Sequence, residues 1–314
     1  MKRYIVVLLG LAGWLTACDS LKQEVDPDLV NAGSEKLVVT CFLAPQDTIL
    51  VANVALSRPV LGENVSYDTR RKDAVITLSE GSRSVRFKIR EGNVPGGFYY
   101  YVDPKEFPIE AGKTYTLNVG IADGRKVQAK CTVPHPVIPD DIVLDSALTL
   151  RNGFSGKEFL VRLRWLDPSG EKNFYRVGGI FKYRAAPINP RDTTTIRWQS
   201  NLIDFRRNRE TRDLIDDRGN DGTTLASPRG KFNIGNNDNQ TTLAQFLSVY
   251  QNAELEIDLL HTDENYYRYH EAVFRQDQTG GNPFAEPILI PTNIEGGLGC
   301  FGAYNRSTRS FTLK

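Results

Sequence analysis

Lys113 to Pro134 reads KTYTLNVGIADGRKVQAKCTVP, two strand-like runs either side of Asp123-Gly124. An Asp-Gly pair between such runs is a strong short-range hairpin signal, because both central residues of a type I′ turn need positive φ. Working back toward the amino terminus, EKLVVTCFL, TILVANVALS, AVITLSE, SVRFKIRE and GFYYYVD follow one another from Glu35. Turns at Glu80-Gly81-Ser82 and Pro95-Gly96-Gly97 separate several of them. Val75 with Thr77, and Val85 with Phe87 and Ile89, recur with the period of two that buries one face of a strand. About seven short strands at this spacing predict an immunoglobulin-like or transthyretin-like sandwich over residues 35–136. Pro134, Pro136 and Pro139 close it and place a domain boundary there.

Residues 137–314 also read as mainly β, forming a second β-rich domain. Phe159–Trp165 alternates, and Asn173–Arg184 is a longer strand with a glycine bulge at its Gly178-Gly179 pair. Thr194–Gln199 and Leu255–Leu260 are further strands, and Arg206–Gln240 is surface loop or marginal strand. Thr262 or Asp263 caps a helix near 263–276. Its Tyr266, Tyr269, His270, Val273 and Phe274 share one face, expected to pack on the second sheet.

Ahead of both lies an export signal. Met1-Lys2-Arg3 is basic, Tyr4–Trp14 is apolar, and Leu15-Thr16-Ala17-Cys18 resembles a lipobox. Residues 1–17 are thus expected to be cleaved, with lipid attached at Cys18. Two or more acyl chains give stable rather than reversible anchoring. Residues 18–34 are polar, with Asp19, Glu24, Asp26 and Asp28, and read as a flexible tether. Losing Lys2 and Arg3 takes the formal charge from +1 to −1, which offers no basic surface for nucleic acid. Of the four cysteines, Cys41, Cys131 and Cys300 remain after lipidation, so at least one stays a thiol. Cys41 and Cys131 lie in the first and last strands of the sandwich, as a disulfide or as two buried thiols.

Motifs for chemistry are few. His135, His261 and His270 are the only histidines, there is no HExxH, and no cysteine pair has zinc spacing. Gly153-Phe154-Ser155-Gly156 breaks the nucleophile-elbow pattern at Lys157. Asp216, Asp217, Asn220 and Asp221 bring oxygen ligands together, but an EF-hand read from Asp217 has Gly219 third and Pro228 twelfth. A solvated turn is the reading taken. No catalytic residue, cofactor or metal ligand is assigned, and the chain is read as non-catalytic. Asp47-Thr48-Ile49, Asp145-Ser146-Ala147 and Asp192-Thr193-Thr194 resemble a short O-glycosylation sequon of exported Bacteroidota proteins.

The carboxyl-terminal segment carries the sharpest pattern. Asn282-Pro283-Phe284-Ala285-Glu286-Pro287 precedes Asn293-Ile294-Glu295-Gly296-Gly297-Leu298-Gly299-Cys300-Phe301, whose glycines suit tight turns entering a last strand over Cys300–Tyr304. With Trp165-Leu166-Asp167-Pro168 and Asn173-Phe174-Tyr175, this resembles the Bacteroidota lipoproteins of domain-of-unknown-function family 4249. The resemblance implies an outer-membrane lipoprotein facing the cell exterior. It also implies an accessory role beside a SusC-like TonB-dependent transporter, capturing a nutrient. An adhesin-like or structural surface protein is the alternative, and a secreted hydrolase the third reading.

Overall fold

The computed structural model describes residues 35–58, 69–92, 97–151, 154–185, 197–206, 213–233, 244–245, 247, 251–279 and 288–313. The signal, the tether with Cys18, Asp192-Thr193-Thr194 and Asn282–Pro287 lie outside them.

The first body uses β1 (Leu37–Leu43), β2 (Leu50–Leu56), β3 (Val75–Glu80), β4 (Arg83–Arg86), β5 (Lys88–Glu91), β6 (Phe98–Val102), β7 (Thr114–Gly120) and β8 (Lys126–Thr132). One sheet runs β4-β3-β7-β8, and it faces β1, β2, β6 and β5 across a buried core. Strand alternation sets that core: Leu37, Val39, Cys41 and Leu43 of β1 are all at most 1% exposed. The β7–β8 hairpin turns at Asp123-Gly124, but Gly124 alone has positive φ (+94°), and the Gly124 amide donates to the Ile121 carbonyl at 3.1 Å, so the turn is not type I′.

Two strand readings change. SVRFKIRE is two strands in different sheets, because the chain crosses the sandwich at Phe87. Phe87 is buried and its amide donates to the carbonyl of Ile76, so its side chain fills the core where the crossing occurs. The buried side of β3 is Ile76 and Leu78, while Val75 is 44% exposed.

The second body holds β9 (Pro139–Arg151), β10 (Phe154–Leu166), β11 (Phe174–Ala185), β12 (Arg197–Leu202), β13 (Leu214–Asp216), β14 (Thr224–Ala226), β15 (Gly230–Phe232) and β16 (Gln251–Thr262). After them come α1 (Glu264–Thr279) and β17 (Leu298–Thr312). Val161, Leu163 and Trp165 of β10 oppose Val177, Phe181, Leu255, Ile257 and Leu259 in a second core. Gly178 and Gly179 are not a bulge: they pair regularly with Asp258 and Ile257, and the register shifts between Lys182 and Arg184 instead. The described residues of Arg206–Gln240 include three short strands, β13, β14 and β15, each edging a longer one.

β17 joins the bodies. Its first residues pair parallel with β1, from Val38↔Leu298 to Leu43↔Ala303. Its later residues pair antiparallel with β16, from Thr262↔Tyr304 to Glu254↔Thr312. The result is one nine-stranded sheet shared by two sandwiches. The first core ends in sequence at Val133 and the second begins at Val137, yet Ile294, Phe301 and Ala303 return to the first. Fold class is therefore mainly β with sandwich packing, as the strand spacing predicts.

Asn293 prepares the entry to β17. Its side-chain amide donates to the Phe301 carbonyl at 2.7 Å and accepts from the Phe301 amide at 3.0 Å, standing in for a strand neighbour. At Gly299, φ is +107° and an added Cβ would lie 2.0 Å from the Val39 carbonyl oxygen, so only glycine lets the two backbones meet.

α1 begins as predicted, with Asp263 Oδ1 accepting from the Tyr266 amide at 2.8 Å. Its aromatic face lies over the joint, not over the second sheet alone. Phe42 of β1 meets the rings of Tyr266 at 5.1 Å, Tyr269 at 6.1 Å and His270 at 5.1 Å. Tyr267, one residue round, turns instead to Phe174 of β11 at 4.9 Å.

Candidate functional site

The outer face of the second body carries an open cleft of about 460 Å3 between α1, β11 and the segment after β12. Alternation along β11 sends Val177 into the core and Arg176 outward. Arg176 Nε donates to Asp213 Oδ2 at 2.9 Å, and its Nη1 donates to the Tyr266 phenol at 3.0 Å. A guanidinium has five N–H groups, so three remain without a protein partner among the described residues. Tyr266 is buried, and that burial pushes its phenol pKa up. It keeps its proton, and because its oxygen already accepts from Arg176, that proton is free to donate. Arg206 lies 3.9 Å from Asp213, with half of its side chain exposed. Leu260, Asp204, the largely exposed Leu202 and the buried Ile203 and Phe205 also line it. Gly178 lies on the floor, and a Cβ built there would meet nothing within 4 Å. The volume is in the range of sites for small organic ligands.

A second cluster sits at the rim of the other sheet. Asp167, Asp217 and Asp221 place carboxylate oxygens within 4.8 Å of one another. Their oxygens already have donors. Asp167 accepts from the Tyr175 phenol at 2.5 Å and from the Gly222 amide at 3.0 Å. Asp217 accepts from the Asn173 amide at 2.8 Å, and Asp221 from the Gly170 amide at 2.9 Å. Bonds of this kind to ionised carboxylates are the stronger sort. They staple the 167–173 turn to the 217–223 turn, which is structural work. Of the four residues weighed as oxygen ligands and read as a solvated turn, Asp217 and Asp221 are in this staple, and Asp217 is buried. Asp216 instead pairs with Arg218 at 3.0 Å. Asn220 closes the turn, donating its amide to the Asp217 carbonyl at 2.7 Å.

Asn173 also reaches the joint. Its amide nitrogen donates to Pro168 and Glu171 carbonyls, which orients its oxygen toward His261 Nε2 at 2.9 Å. His261 Nδ1 is 2.7 Å from the His135 carbonyl in the linker. Burial pushes His261 down, and a neutral ring donates to only one of these two acceptors. Asn305 of β17 adds a bond to the Pro134 carbonyl at 3.0 Å.

Cys41 and Cys131, the pair that could have bridged, are free buried thiols, and Cys300 is a third. Burial pushes all three pKa values up, so they stay protonated and unreactive. Thr48 and Ser146, the hydroxyl residues of two sequon-like triplets, are exposed. The sequence reading assigned no site role to Arg176 or Asp213; it took Tyr266 for core packing, which its burial bears out, although its phenol also reaches Arg176. The signal for the cleft was the Arg176-Val177-Gly178-Gly179 run, a charge beside two missing side chains in an otherwise bulky strand.

The family described as a domain of unknown function (DUF4249) matches residues 22–310. No curated protein matches the chain. Among solved structures, the partial N-terminal region of enterococcal surface protein aligns at 7% identity with a TM-score of 0.16. That alignment covers 76% of this chain and 93% of the other.

Proposed function

This chain belongs to the domain-of-unknown-function family DUF4249, and on that premise we propose that it is a lipid-anchored surface protein that captures a small ligand. It holds that ligand without chemistry and serves as accessory partner to a TonB-dependent transporter of the outer membrane. The observation that carries this reading is the Arg176 cleft, an open concavity with hydrogen-bond donors left over in its wall. The Arg176 side chain is 27% exposed at this cleft, so a ligand acceptor can replace water on those donors with a charge-assisted hydrogen bond. The lipobox-like Leu15-Thr16-Ala17-Cys18 and the acidic tether support a place at the membrane surface.

The test has two parts. The wild-type chain is expected to fractionate with outer membrane, and Cys18→Ser to leave it for the soluble or precursor fraction. Mild-detergent capture of the wild-type chain is expected to bring down a TonB-dependent barrel in stoichiometric amount, identified by mass spectrometry. A protein captured alone, also after crosslinking, overturns the accessory role.

A further inference from the structure

We propose that the Arg176 cleft takes a small zwitterion carrying both a carboxylate and an ammonium group, a free amino acid or a short peptide. This rests on the reading of the cleft as a capture site and adds what it captures.

The lining holds two cations, Arg176 and Arg206, and two anions, Asp204 and Asp213. A purely anionic ligand would face two carboxylates, and a purely cationic one two guanidinium groups. Asp213 already lies 2.9 Å from Arg176 and 3.9 Å from Arg206, so the lining is balanced, and a ligand that carries both charges keeps it so where a singly charged one does not. The carboxylate end belongs at Arg176, where unused N–H donors and the Tyr266 proton converge. Arginine N–H pairs suit a carboxylate in two-point contact. The ammonium end belongs at Asp213, whose Oδ2 is taken by Arg176 but which has a second oxygen, or at the exposed Asp204. Between them, Leu260 and the 82%-exposed Leu202 give an apolar body something to cover. A sugar fits less well, because sugars pack on open aromatic faces. The Tyr266 ring is already packed by Phe42, His270 and Tyr304, and Phe205, the other aromatic residue of the lining, is only 3% exposed.

Isothermal titration of the detergent-solubilised full chain with dileucine and with L-leucine tests this. Saturable binding of either probe is expected, the tighter one telling peptide from amino acid. N-acetyl-dileucine and dileucine amide, each missing one charge, are expected to bind at least about tenfold more weakly, the size of one lost hydrogen bond to a charged group. Gly178→Trp fills open space above the floor and is expected to abolish binding with the melting temperature unchanged. Equal binding of the capped forms overturns the zwitterion, as does binding that survives Gly178→Trp or no binding of either probe. The transporter capture experiment reads the accessory role separately, so a barrel that co-purifies while dileucine fails removes the ligand class alone.

Discussion

Gly299→Ala is expected to destabilise the fold by more than about 4 kcal/mol, beyond the usual range for one substitution. The new Cβ would sit 2.0 Å from the Val39 carbonyl oxygen and 2.8 Å from its carbon, and neither is the free end of a side chain. Relief requires β1 and β17 to separate, and their parallel pairing runs from Leu298 to Ala303. That separation pulls Phe301 and Ala303 out of the first core and loosens the strand that joins it to the second. For a chain of this size a loss this large lowers the melting temperature by about 6 °C or more. Gly124→Ala is the control. It has a similar φ, +94°, but an added Cβ there meets nothing within 4 Å, so only about 1 kcal/mol of backbone strain is expected. Thermal unfolding of the two variants side by side decides it: similar losses would show that positive φ matters and the close approach does not.

That glycine shows why some of the fold could be read from sequence and some could not. Local signals were legible where the physics is local. The Asp123-Gly124 hairpin, the alternation of β10 and the Asp263 cap all depend on residues a few positions apart. Gly296, Gly297 and Gly299 were legible as places where backbone must turn, but not as the entry to a strand shared by two sandwiches. The polar run Asn305-Arg306-Ser307-Thr308-Arg309-Ser310 hid the extension of β17. Its apolar content is low because the buried Asn305 bonds to the Pro134 carbonyl and the strand is exposed from Thr308, whose Oγ1 donates to Asp258 on β16.

The pieces of sequence that carried the family resemblance have a common structural use. Asp167 and Tyr175 bond to each other, Asn173 orients His261 against the linker, and Asn293 pairs with Phe301. Two of these bonds are local, but Asp167 also accepts from Gly222 and Asn293 also donates to the Lys130 carbonyl, so each residue ties in a segment from a distant part of the chain, and none lines the cleft. The strongest pattern in the sequence therefore points to the joint, while the capture site sits on residues with no pattern of their own. Arg176, Asp213 and Tyr266 are separated by 37 and 90 positions from Arg176 and meet only in three dimensions.

The joint also sets a pH dependence with two opposing halves. Burial raises the Asp263 carboxyl to about 7, against the pull of the Tyr266 and Ala303 backbone bonds, and its Oδ2 has no partner. Between pH 3.8 and 7 the folded chain keeps a proton that the unfolded chain has lost. This contribution is therefore full below the unfolded value and disappears as pH rises through 7, on the order of 4 kcal/mol across the window. His270, two turns along the same helix, does the reverse. Burial first, and then the nearby Arg176 charge, push its pKa down to about 4, and its Nε2 is buried without a partner. Its contribution is present above pH 6.5 and is lost as pH falls toward 4, by about 3 kcal/mol. In the wild-type chain the two slopes largely cancel. Asp263→Asn keeps a capping oxygen for the Tyr266 amide and removes the charge, so its denaturant midpoint is expected to exceed wild type at pH 8 and fall on acidification. His270→Phe keeps a ring against Phe42 and is expected to show the opposite slope, gaining stability as pH drops from 7 to 4. Urea midpoints measured at pH 4.5, 6 and 8 separate the two, and parallel profiles for both variants would remove either group as the source.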